Sequence, residues 1–111
     1  MAESVRVHHC GITVSNLERA VEWYSTAFGL KPGQILEVSG PSGEKVLRMP
    51  PHTHRAALLP VGNFAIELLE FIPKGKDFSG RQDDVGYVYL CFEVDDLDGV
   101  YERMSQAGYD F

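Results

Sequence analysis

Apolar and polar positions along this chain alternate between two periods, and the switches mark out the elements. Val5 to Val14 is strand-like, rich in β-branched residues and closed by Ser15-Asn16. Ser15 with Glu18 three residues on forms a capping-box pattern. Leu17, Ala20, Val21, Tyr24, Ala27 and Phe28 then recur at helical spacing, and Gly29 is the expected stop. Gln34 to Val38 predicts a short strand. Ser39 to Thr53 reads as a long Gly- and Pro-bearing loop with room for one helical turn around Glu44 to Met49. Arg55 to Val61 and Phe64 to Ile72 predict two strands joined by a Gly62-Asn63 hairpin. Residues 73–85 are polar and aperiodic, a linker. Gly86 to Val94 predicts another strand, and Asp95-Asp96 caps a helix striped by Leu97, Val100, Tyr101, Met104 and Ala107 up to Gly108.

The last strand and helix repeat the first. At an offset of 80, Val14 matches Val94, Leu17 matches Leu97, Glu22 matches Glu102, Ser25 matches Ser105 and Ala27 matches Ala107. Strand end, cap, stripe and helix stop coincide, which favours duplication of one unit over chance similarity between amphipathic segments. The first unit has three further strands where the second has none. Continued at the same offset, the counterpart of the fourth strand falls about 40 residues beyond Phe111. The chain is therefore expected either to be part of a longer protein or to form a homodimer by strand pairing, because an incomplete second unit leaves an edge unpaired.

Composition narrows the function classes. The chain has 111 residues, enough for one core, with a formal net charge of −6 and no basic cluster. Nucleic acid and anionic membrane surfaces are thus not expected partners. No apolar run approaches membrane-spanning length, and the first residues lack a basic and an apolar signal region, so a cytoplasmic location is expected. Cys10 and Cys91 fall inside strand-like runs and read as buried free thiols.

Strand alternation places His9, Gly11 and Thr13 on one face of the first strand, and Glu67, Leu69 and Phe71 on one face of the fourth. Tyr87, Tyr89, Cys91 and Glu93 share a face of the fifth. Glu67 lies mid-strand in the run AIELLEF, where a carboxylate is costly unless it ligates a metal, faces water in an open trough, or pairs with Arg48 or Arg55. An imidazole and a carboxylate on one surface suit a divalent transition ion. His8 beside His9 shows that histidine is tolerated on either face. His52-Thr53-His54 reads as a solvated loop. No nucleophile triad, phosphate loop or dinucleotide fingerprint is present.

The runs HHCGITVSNLERAVEWYSTAFGL, AIELLEF and YLCFEVDDLDGVYERM together resemble the vicinal oxygen chelate superfamily, which includes glyoxalase I, methylmalonyl-CoA epimerase, extradiol dioxygenases and bleomycin-resistance proteins. The resemblance implies an α+β fold of paired βαβββ modules. Residues 5–72 would form a complete first module, and 86–111 the start of a second, all within one glyoxalase-like domain spanning 1–111. It implies ligands for a divalent metal (Zn, Ni, Co, Mn or Fe) at His9 and Glu67, with Glu67 also the catalytic candidate. The position that is commonly a third histidine ligand falls on Tyr89, as the offset of 80 from His9 also indicates. Phenol is a poor ligand near neutral pH unless the metal pulls its proton off. The loop before the third strand can also reach the trough in this fold, so His52 and His54 become candidates for a substrate contact. Two functions follow as expectations. One is a metal-dependent isomerase, epimerase, lyase or dioxygenase acting on a small oxygen-bearing substrate, similar to lactoylglutathione lyase or methylmalonyl-CoA epimerase. The other is a metal-free protein that binds or sequesters a small molecule.

Overall fold

The structure is a computed structural model and describes residues 5–87 and 89–110. The chain divides into two compact units, Met1–Lys74 and Gly75–Phe111.

The first unit is a four-stranded sheet with two helices. In chain order it has β1 (His9–Thr13), α1 (Leu17–Phe28), β2 (Leu36–Ser39), α2 (Pro41–Leu47), β3 (Thr53–Val61) and β4 (Phe64–Ile72). The strands lie in the order β1-β4-β3-β2. β1 runs parallel to β4, with His9 opposite Ala65 and Gly11 opposite Glu67. β3 and β4 form the hairpin that Gly62-Asn63 predicts, in a register that sets Leu58 against Glu67 and Arg55 against Glu70. This is one βαβββ module, an α+β fold.

The core lies on one face of the sheet. Ala57 and Leu59 of β3, Ile66 and Leu68 of β4, and Leu17 and Ala27 of α1 are buried, and α1 packs across β4 and β3. Each fully buried Leu or Ile contributes about 1.5–3 kcal/mol. A three-part ionic network closes the same face. Arg55 donates from Nη1 to Glu18 Oε1 at 2.6 Å and from Nη2 to Glu18 Oε2 at 2.8 Å. It also donates from Nε and Nη2 to Glu70 Oε1 at 3.2 and 3.0 Å. Glu70 Oε2 accepts the backbone N–H of Leu17 at 2.9 Å, tying the start of α1 to the sheet.

Three local expectations are corrected here. Asn16, not Ser15, caps α1: its Oδ1 accepts the Arg19 N–H at 3.0 Å. The capping box fails because Glu18 turns to Arg55 instead of reaching back to the cap. β1 begins at His9 rather than Val5, since β4 offers its pairing edge only from Phe64 onward. α2 runs seven residues from Pro41 rather than a single turn around Glu44 to Met49. Proline suits the first helical position, where its missing N–H costs nothing. The helix ends at Arg48 with a φ of 55°.

The second unit contains α3 (Leu97–Gln106), capped as expected by Asp96, whose Oδ1 accepts the Gly99 N–H at 3.0 Å. Met104 is buried, but Leu97 and Tyr101 of the predicted stripe are exposed. The expected strand Gly86 to Val94 is absent among the described residues, and Val88 lies outside them. Its alternation survives in part: Phe92 and Val94 are half-buried while Tyr89, Cys91 and Glu93 are exposed. Alternation marks a face, but a strand also needs a ladder partner, and none pairs with this run among the described residues. Cys91 is accordingly an exposed thiol, not a buried one; Cys10 is half-buried. No helix among the described residues is long and apolar enough to cross a membrane.

Candidate functional site

The face of the sheet away from α1 carries the chemistry. Register and alternation place His9, Gly11 and Thr13 of β1 beside Ala65, Glu67 and Leu69 of β4, with Leu58 of β3 across from Glu67. His9 and Glu67 are thus diagonal neighbours on adjacent parallel strands, facing the same side. Gly11 sits between them, and a Cβ there would come within 3.4 Å of Leu69 Cδ1.

Glu67 is half-buried and has no hydrogen-bond or ion-pair partner among the described residues. The Arg55 alternative is removed by register: Arg55 lies on the opposite face, held by Glu18 and Glu70. Those contacts raise the Arg55 pKa further above its already high value, and the bond to Arg55 lowers that of Glu18. His9 is exposed. Its Nδ1 lies 2.8 Å from His8 Nδ1, with the rings edge to face at 5.0 Å. If His9 donates that proton, its Nε2 lone pair is free, the arrangement common to histidines that bind metal.

Tyr89 belongs to the second unit, 78% exposed. Among the described residues no group of three or more His, Cys, Asp or Glu side chains converges on one point. The first unit therefore supplies two donors of the right chemistry, an imidazole and an unpartnered carboxylate. They fit half of a four-ligand divalent site.

A second cluster lies further along the same face. His54 is 7% exposed and sits opposite Phe71. His52 Nε2 lies 2.9 Å from His54 Nδ1, the two rings stack at 5.1 Å, and each lies 5.2 Å from the Phe71 ring. The sequence reading as a solvated loop missed this. The signal was present in the i, i+2 spacing, which puts both rings on one side once Thr53 begins a strand.

Residues 8–111 match the profile of the Glyoxalase/Bleomycin resistance protein/Dioxygenase superfamily. The chain belongs to this superfamily. Within it, the chain is 28% identical over 106 residues to an ethylmalonyl-CoA/methylmalonyl-CoA epimerase from Cereibacter sphaeroides, covering 93% of this chain and 71% of that protein. A glyoxalase family protein from Bacillus cereus shares the fold with a TM-score of 0.83 at 23% identity, over 96% of this chain and 74% of the other. The fosfomycin resistance protein FosX from Listeria monocytogenes, solved with Mn(II) and sulfate, shares the fold with a TM-score of 0.54 at 13% identity, over 99% of this chain and 75% of the other.

Proposed function

We propose that this superfamily member is a metal-dependent enzyme that moves a proton next to a carbonyl, with an acyl-thioester epimerase as the specific reading. The observation that carries it is the shared face of His9 and Glu67, with the Glu67 carboxylate unpartnered among the described residues. The similarity to the Cereibacter epimerase supports the substrate class, and FosX, which shares the fold, was solved with a divalent ion. His9 would offer its Nε2 lone pair and Glu67 its charge to a divalent ion. A bound ion would act as a Lewis acid toward the substrate's paired oxygens, easing loss of the neighbouring proton. Leu58, opposite Glu67 on β3, and Leu69, two residues further along β4, lie on the same face as the carboxylate and give it apolar neighbours.

The site needs further donors to be complete. Tyr89, the repeat's echo of His9, is the further candidate that the family resemblance offers, and a homodimer would give the run 86–94 a strand to pair with. In that arrangement Tyr89 is a weak ligand or an aromatic wall. The tyrosine also favours a second reading, in which the face binds a planar small molecule without chemistry.

Solvent-deuterium exchange at the α-carbon of methylmalonyl-CoA or ethylmalonyl-CoA, with divalent metal added, separates the two. The enzyme reading expects exchange in the wild type and its loss in Glu67→Gln and His9→Ala. Binding without exchange, with any metal supplied, supports the sequestration reading instead.

A further inference from the structure

The His52–His54 pair is wired in a way that fixes both tautomers. His52 Nδ1 lies 2.9 Å from the carbonyl oxygen of Pro50, which can only accept, so His52 Nδ1 carries a proton. In a neutral ring His52 Nε2 is then an acceptor, and the 2.9 Å contact makes His54 Nδ1 the donor. The remaining nitrogen, His54 Nε2, holds a lone pair. No half-buried or buried side-chain N or O lacking a partner is sealed from solvent among the described residues. Because the described bonds of His54 all run through Nδ1, its Nε2 is the one nitrogen of the pair left open to a ligand. A proton gained by the pair has one place to go. Whichever ring is written as the cation, the added hydrogen resides on His54 Nε2 while the bridging hydrogen stays between the rings.

The surroundings offer the pair an aromatic face and no bonded counter-charge among the described residues. Phe71 lies 5.2 Å from both rings, within range of a cation–π contact. The ionisable groups on the elements around the pair are Glu44 and Lys45 of α2, Arg48 at its end, and Glu67 four residues from Phe71 on β4. None bonds to either imidazole among the described residues. Glu37 and Glu70 lie on the other face of the sheet.

From this wiring we infer that His52 and His54 form a proton-coupled binding site for an oxyanion, a carboxylate or phosphate group, which docks at His54 Nε2–H as one proton is taken up. Phe71 stands about 13 Å along β4 from Glu67, at about 3.3 Å per residue. The pair is thus a recognition site for a distal acidic group of a ligand, separate from the Glu67 end. The inference does not depend on the metal reading.

Long-range proton–nitrogen NMR on the full chain tests it, with inorganic phosphate and acetate as separate probes. Without probe, at a pH where the pair is neutral, His54 is expected as the Nδ1–H tautomer. With probe, Nε2 gains a proton, and calorimetry in buffers of different ionisation enthalpy reads an uptake of one proton. Response to acetate alone assigns a carboxylate, and response to phosphate alone assigns a phosphate. His54→Gln is expected to weaken binding about tenfold or more, the size of one charge-assisted hydrogen bond. His52→Gln, at a less buried position, keeps the fold but removes the lock, leaving a tautomer mixture and weaker binding. A neutral His54 protonated at Nε2, or binding of neither probe, overturns the proposal.

Discussion

The two units begin from nearly the same strand–helix pattern and end differently. β1 lies in a ladder with β4, and α1 covers the sheet with Leu17 and Ala27 buried. In the second unit the matching run 86–94 forms no ladder among the described residues, and the counterpart of Leu17, Leu97, is 71% exposed. The difference shows what a hydrophobic pattern can specify. It fixes which side of a segment prefers burial. Whether the segment becomes a strand depends on the edge it meets, because backbone polar groups need partners as much as side chains need cover.

Core truncation should break the symmetry most strongly. Leu68→Ala should cost about 2–5 kcal/mol, whereas Leu97→Ala should stay within about 0.5 kcal/mol in denaturant unfolding. Equal losses would mean that Leu97 is covered in solution. Next comes the network that fastens α1 to the sheet. Glu70→Ala strips the acceptor from the Leu17 N–H and from Arg55, and should cost about 1–3 kcal/mol. The same network has a pH signature. Arg55 holds the Glu18 pKa below its ordinary 4.5, so the Glu18 contribution is complete above that value. It is lost as the pH falls through the lowered folded value. A melting temperature that drops below pH 4.5 less steeply in Glu18→Gln than in the wild type is the expected result. The smallest effect compares the two cap candidates: Asn16→Ala should cost about 1 kcal/mol and Ser15→Ala under about 0.5 kcal/mol.

Much of this was legible beforehand. The hairpin at Gly62-Asn63, both long helices, and the common facing of Glu67, Leu69 and Phe71 follow from local pattern. Even the removal of Arg55 as a partner for Glu67 could be read from alternation, since Arg55 shares a face with Ala57 and Leu59. The parallel pairing that brings His9 beside the Glu67 strand could not, because it joins residues more than 50 positions apart through no local signal. α2 was hidden by its Gly and Pro content, although Pro41 is a helix-start residue where it stands. Of the candidate site, His9 and Glu67 were named from sequence. The His52–His54 wiring needed the position of the Pro50 carbonyl, which no spacing rule supplies.

The central claim is that His9 and Glu67 act together on one divalent ion. Titration of the purified full chain with Mn, Zn, Ni, Co or Fe(II), repeated for His9→Ala and Glu67→Ala, tests it directly. Outer partners of a metal ligand are worth about 10–100-fold in affinity, so loss of either ligand should weaken binding by about 100-fold or more. Binding of the same strength in the wild type and both variants would contradict it.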